Sequence, residues 1–406
     1  MTSSAPAPAP AAPDHGAGAD LVDRLAGLAP GSALYALRHQ RDKVAAATQG
    51  SYDSLFDPAF DGISLVERLL VARFACRLTP MPELAAHYLE RLLGERADPA
   101  WIAAARSGTA DSVAEPRLHA MLTFTRTLVE HPAEGDAPAL RALLAAGIST
   151  PAAIALAQLI AFLSYQTRLV AGLKAMRAAA ETAAAPNDSG EARFEPRIDD
   201  TAALDVHGYT TQSLGWKSWL DVVELDRATP EQIAVLEESH PQAKVSEYYR
   251  VLVHQPEILR QRSAAFNAIM YAPGGMPRAE RELGATVTSR INGCVYCASV
   301  HAQRFEQLAK RSDVILQVFD DPRRAGTSAR EHAIAQFSIA LTATPGTVSA
   351  ANIRRLQQVG LEPLEVLDLI HSVAIFAWAN RLMLNLGEPV WPAGNSTIAH
   401  ATDAAN

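Results

Sequence analysis

The chain has 406 residues, enough for two or three domains at about 150 residues each. Hydrophobic residues make up 49% and aromatics only 6%, so the core is built from Ala, Leu, Val and Ile, which favours packed helices over sheets. With 36 Lys and Arg against 44 Asp and Glu, the formal charge is −8, which excludes a domain-scale basic field for nucleic acid or an anionic membrane.

Residues 1–20, MTSSAPAPAPAAPDHGAGAD, have neither a basic n-region nor an apolar h-region and read as an Ala/Pro tail, not a signal peptide. A first helical domain is expected over 21–177. It includes GISLVERLLVARFACRLTPMPELAAHYLERLL at 62–93, where Cys76 sits in an apolar run as a small core residue. The most apolar stretch, PAAIALAQLIAFLSY at 151–165, is interrupted by Gln158 and too short to cross a bilayer, so a buried helix is expected. Ala, Pro, Asn, Asp and Gly without apolar periodicity mark a linker over 178–205. A second domain follows over 206–395, then a short tail at 396–406.

The two halves repeat one order of elements. In the second, PRAERELGATVTSR (277–290) has a helix-friendly start, Asn292-Gly293 interrupts it, and CVYCASVHAQRFEQLAKR continues as another helical pattern. In the first half, Glu67 falls near the position of Glu282 and His87 near that of His301, with registers one residue apart across the break. There Thr79-Pro80-Met81-Pro82 replaces the C-x-x-C, leaving Thr79 and Pro82 near the thiol positions. Near the end of each half, Gly147 pairs with Gly360, Leu156 with Leu369 and Arg168 with Arg381, all at one constant offset. Period-2 apolar runs with hairpin signals are scarce. The expected fold is all-α: two tandem helical domains, the N-terminal one degenerate.

The chemistry concentrates in Glu282, Cys294, Cys297 and His301. Offsets of three and seven put Cys294, Cys297 and His301 on one helix face, with imidazole one turn from a thiol. Gly293 lets the chain turn before Cys294, so the cysteines occupy a helix N-terminus, where unpaired N–H groups and the dipole lower a thiol pKa. If the preceding helix folds back, Glu282 can orient His301 or accept its proton. A thiolate, a second thiol three residues away and an acid–base pair are the parts needed to reduce a hydroperoxide through a sulfenic acid and a disulfide. Arg290 could add positive potential, although a solvated Arg is the default. His371 and Trp378, seven apart on the last helix, read as core.

RELGATVTSRINGCVYCASVHAQRF resembles the signature of alkylhydroperoxidase D-like proteins within the carboxymuconolactone decarboxylase superfamily, closest to the peroxidase-related branch. The resemblance covers roughly residues 210–390, and the first half looks like a degenerate copy. It implies an all-helical bundle that oligomerises, with Cys297 as the peroxidatic thiol, Cys294 as the resolving thiol, and Glu282 and His301 as the proton relay. It also implies that Asn380 and Arg381 brace helices or subunits. Tyr296 stands where some members carry a His, and a phenol does not shuttle protons near neutral pH.

The expected function is a thiol-dependent hydroperoxide reductase, cytoplasmic and without a bound cofactor or metal. Its expected partners are a hydroperoxide and a thiol-disulfide reductant protein, with neither nucleic acid nor membrane, in a homotrimer that arranges six domains in a ring. Two alternatives stand: a decarboxylase-like lyase acting on a small lactone acid through Glu and His, and a non-catalytic redox-sensing or zinc-stabilised module.

Overall fold

The structure, a computed structural model, describes residues 20–182 except 112, and 205–392. The N-terminal half comprises α1 (Leu21–Ala26), α2 (Ala33–Arg38), α3 (Asp42–Leu55), α4 (Leu65–Leu78), α5 (Pro82–Gly94), α6 (Pro99–Ser107), α7 (Pro116–Glu130), α8 (Ala137–Ala145) and α9 (Thr150–Glu181). Three short strands follow, β1 (Asp205–Val206), β2 (Tyr209–Thr210) and β3 (Gly215–Ser218). The C-terminal half then runs through α10 (Pro230–Ser239), α11 (Glu247–Leu252), α12 (Pro256–Met270), α13 (Arg278–Ile291) and α14 (Val295–Ala309). It ends with α15 (Asp313–Asp320), α16 (Ala329–Ala343), α17 (Ala350–Gln358), α18 (Pro363–Asn385) and β4 (Gly387–Val390). The strands form two antiparallel pairs, β1–β2 and β3–β4, the latter tying the start of the C-terminal half to its end. The fold is all-α, as composition required.

The tails and most of the linker lie outside the described residues. At residues 178–181 the helix continues past the expected linker start, because an Ala-rich run is the best helix former and has no reason to stop. α9 is therefore 32 residues long, not the short element expected. Both α9 and α18 are long and apolar enough to cross a membrane by composition, yet their most apolar windows are 100% and 94% buried against protein. They pack on each other at the centre, and α3 packs on α12 beside them. Close approach is visible at Gly172, where a Cβ would meet Ile370 of α18 at 2.6 Å. Across the same seam, Trp378 Nε1 donates to Gln158 Oε1 at 2.9 Å, so the amide oxygen of this polar interruption is met by the other half. His371 and Trp378 are both core residues there.

Residues 213 positions apart do equivalent jobs. Arg168 donates to Ser164 O on its own helix and to Thr342 O at the end of α16. Arg381 donates to Ala377 O on its own helix, and to Leu128 O and Val129 O at the end of α7. Each buried guanidinium thus crosses the seam to the last-turn carbonyls of a helix in the other half, groups that have no intrahelical partner and carry the negative end of the dipole. Burial pushes Arg168 down to about 10, and burial followed by the charge of Arg168 pushes Arg381 down as well. A second pair of matched contacts fixes the register of each half. Arg117 Nε meets Glu67 at 2.8 Å and its Nη1 meets Gly147 O, while Arg330 Nε meets Glu280 at 2.7 Å and its Nη1 meets Gly360 O.

Truncating Arg381→Met strands two buried carbonyls, at about 1–3 kcal/mol for each unsatisfied group. The expected loss is roughly 2–6 kcal/mol of unfolding free energy, read from chemical denaturation followed by far-UV circular dichroism. A loss below about 1 kcal/mol would show that the seam does not need this contact.

Candidate functional site

The hairpin α13–α14 builds the site. Gly293, at φ 79°, is left-handed and closes α13 with a bond from Cys294 N to Ser289 O at 2.9 Å. A Cβ at Gly293 would also approach Ala133 to 3.0 Å. The same reversal makes Cys294 the N-cap of α14 and places Cys297 in its first turn, as expected from the spacing. α14 then runs back along α13, and His301 Nδ1 meets Glu282 Oε2 at 2.5 Å. The other oxygen of Glu282 accepts from Arg278 Nε at 2.5 Å. Phe376 of α18 stands edge-on to the imidazole, with ring centroids 4.3 Å apart.

Glu282 has no exposed surface. Burial alone would raise its pKa, but His301 and then Arg278 outweigh that effect and hold the carboxyl below its ordinary value. An ionised carboxylate only accepts hydrogen bonds, so the Nδ1 of His301 that faces Glu282 carries a proton, and Nε2 is the ring nitrogen left to exchange one. Arg278 lies four residues before Glu282, a spacing whose signal was present in the sequence.

The two thiols occupy different environments. Cys297, with 4% exposure, lines a cavity of about 340 Å³ together with Glu282, Tyr296 and His301. Cys294 does not line it, and sits behind Cys297 in contact with Asn380 of α18. Asn380 is itself held by Asn292 at 2.9 Å and Ser289 at 3.0 Å. The expected lowering of the thiol pKa by the helix N-terminus is not what governs Cys294: complete burial, followed by the neighbouring Cys297, pushes it well above the ordinary thiol value. Tyr296 is pushed up to about 12 by burial and stays a neutral phenol. Arg290 does not reach toward the thiols. Its guanidinium lies 4.4 Å from the ring of Tyr209 and donates to Phe319 O. Cys76, buried in the first half and raised to about 12, is the core residue expected.

The first half departs from its expected register. The break between α4 and α5 has the same length as that between α13 and α14, so no one-residue shift exists. The counterpart of Glu282 is Leu69, and that of His301 is Tyr88, whose hydroxyl donates to Gln166. Met81 and Leu84, not Thr79 and Pro82, stand at the thiol positions. Glu67 caps α4 and holds Arg117, whereas His87 contacts Arg24 and Tyr52. A slip of one or two residues turns a side chain by roughly 100–200° about the helix, which is why these two groups face elsewhere and form no relay.

Among the described residues no group of three or more His, Cys, Asp and Glu side chains is placed to hold a metal. The folded-state pKa of Glu282 is lowered, so its stabilisation is present above the unfolded glutamate value and lost as pH falls through the folded one. Glu282→Gln leaves Arg278 and His301 without their anion, and should cost about 3–5 kcal/mol at pH 7. That cost should shrink on acidification below pH ~4. Denaturation of both proteins across pH 3–8 measures this, and a cost independent of pH would overturn the assignment of an ionised Glu282.

No curated protein matches the sequence. Two solved structures are similar over 40% of this chain. One is described as the alkylhydroperoxidase AhpD core of an uncharacterized peroxidase-related protein from Ralstonia eutropha JMP134, with 26% identity, 87% of that chain covered and a TM-score of 0.36. The other is an uncharacterized peroxidase-related protein from Silicibacter sp. TM1040, with 25% identity, 86% covered and a TM-score of 0.35. Residues 256–340, from the start of α12 into α16, match the carboxymuconolactone decarboxylase family. That segment contains Glu282, Cys294, Cys297 and His301, so the similarity to that family falls on the part of the C-terminal half that builds the site.

Proposed function

We propose that the protein is a thiol-dependent hydroperoxide reductase whose C-terminal half carries the chemistry. The observation that supports this reading most is the asymmetry of the cysteine pair: Cys297 at the cavity wall beside His301, and Cys294 buried behind it. Nε2 of His301, oriented through Nδ1 by Glu282, takes the proton of Cys297. The thiolate attacks the outer oxygen of the hydroperoxide, the O–O bond breaks, and the departing alkoxide takes a proton from His301, leaving a sulfenic acid and an alcohol. Cys294, kept as a thiol by burial, then displaces water from the sulfenic acid and closes the disulfide. An external dithiol, expected to belong to a thiol-disulfide reductant protein, returns both cysteines to thiols and leaves as a disulfide.

The N-terminal half has Leu69, Met81, Leu84 and Tyr88 at the equivalent positions and contributes no redox chemistry to this cycle. Cys297→Ser should abolish peroxide consumption. Cys294→Ser should allow one oxidation per chain without a disulfide, and Cys76→Ser should leave the rate nearly unchanged. His301→Ala should slow thiol oxidation by about 100- to 10,000-fold, the usual acid–base contribution. Glu67→Gln should leave turnover intact and cost about 1 kcal/mol of stability through its part-exposed contact with Arg117. Stopped-flow peroxide consumption and mass spectrometry of the Cys294–Cys297 peptide provide the readouts. If both thiols remain free in folded protein under excess peroxide, the reading fails. Turnover of a lactone acid that survives loss of both cysteines would replace it with a lyase.

A further inference from the structure

The cavity in front of Cys297 contains a cation that the peroxide chemistry does not use. Arg262 of α12 has 3% exposure and lines the cavity wall. Its guanidinium lies 5.4 Å from the ring centroid of Tyr248 and 5.0 Å from that of Phe266, and it bonds the Tyr249 side chain. Nε has no hydrogen-bond partner among the described residues. Glu282 is the one acidic residue in the cavity lining, and both its oxygens are taken by Arg278 and His301. Neither tyrosine can supply the missing anion, since burial pushes both phenols above their ordinary value and keeps them neutral at pH 7. A second cation, Arg304, lies on the exposed side of the lining and adds to the same sign of potential.

Burying a guanidinium without a carboxylate is costly, and the faces of two aromatic rings offset only part of that cost. A planar, forked cation beside a reactive thiol is suited to a ligand carboxylate, which it can grip by two parallel hydrogen bonds. Phe266, Phe376, Val300 and Met383 give the lining an apolar side, while His240, Gln242 and Ser246 add uncharged polar groups. At about 340 Å³ the cavity is at the small end of ligand pockets and suits one substituted ring or a short apolar chain. In the N-terminal half the residue at the position of Arg262 is Gln49, which bonds Leu21 N and Asp53 instead. The arginine is therefore not a general requirement of the helix framework.

We infer that Arg262 is a specificity-determining residue that anchors the carboxylate of a small, largely apolar organic hydroperoxide so that its peroxide group faces Cys297. The inference rests on the hydroperoxide reductase reading for the chemistry but on Arg262 alone for the carboxylate. The test compares 4-(2-hydroperoxypropan-2-yl)benzoate with its methyl ester, using the full chain and dithiothreitol as reductant. Wild type should show a KM for the acid about tenfold or more below that for the ester. Arg262→Gln should raise the KM for the acid by about tenfold or more, the range expected for a hydrogen bond to a charged group, with kcat and ester kinetics nearly unchanged. Arg262→Lys should recover part of the loss. Equal use of acid and ester by the wild type overturns the inference, even if the variants fail to fold, and so does an equal rise in KM for both substrates.

Calorimetric binding of the corresponding alcohol, 4-(2-hydroxypropan-2-yl)benzoate, separates the two readings. If no peroxide is reduced but this carboxylate binds and Arg262→Gln abolishes binding, the peroxidase reading falls and the anchor stands. If the peroxide is reduced but the carboxylate does not bind at millimolar concentration, the anchor falls and the peroxidase stands.

Discussion

The seam between α9 and α18 carries two arginines, each of which reaches out of its own half to cap a helix of the other. Among the described residues neither is paired with a carboxylate. Each is stabilised by backbone carbonyls that a helix end leaves without partners, so one contact satisfies a buried donor and a buried acceptor together. The consequence reaches the thiols within one residue. Arg381 fixes α18 to α7, and Asn380, next to it, holds Asn292 and Ser289 and touches Cys294. The first half has lost the residues of the site, yet it holds the helix that forms the wall of the site in the second.

The site itself depends on a balance of burial against pairing. Glu282 has no exposed surface, and burial raises its pKa; the contacts with His301 and Arg278 outweigh that and keep it ionised. Its charge then dictates which nitrogen of His301 is protonated, and so which nitrogen can act on the thiol. Burial without pairing has the opposite outcome at Cys294, which remains a thiol although it caps a helix N-terminus. The dipole effect acts at the helix end, but desolvation of a fully buried sulfur is larger. Two cysteines three residues apart are in this way made chemically distinct by how deeply each sits.

The apolar centre explains why two helices with the composition of membrane spans belong to a packed core. α9 packs against α18 and the surrounding helices, and polar atoms on it find partners across the seam, as Gln158 Oε1 does in Trp378. Large residues interlock at this point, with Phe162 and Tyr165 on α9 packed around Trp378 on α18.

Local features of the sequence were enough to reveal the helical class, the two matching halves, the turn at Gly293 and the placement of Cys294, Cys297 and His301 on one helix. All of these depend on spacing along a single helix or on one glycine with positive φ, and short-range geometry carries them. The pairing of Glu282 with His301 was accessible for the same reason, since a hairpin of two adjacent helices leaves little freedom. The register of the first half was not: Glu67 and His87 are the right residue types near the right places, and only Arg117 and Tyr52 show which way they point. Tertiary structure also decided the burial that raises Cys294, the arrival of Phe376 and Asn380 from α18, and the isolation of Arg262 from any acid in the cavity. These contacts join residues far apart in the chain, and desolvation depends on every group that packs around a site. Helical periodicity encodes which face a residue occupies, but not what the rest of the protein brings to meet it.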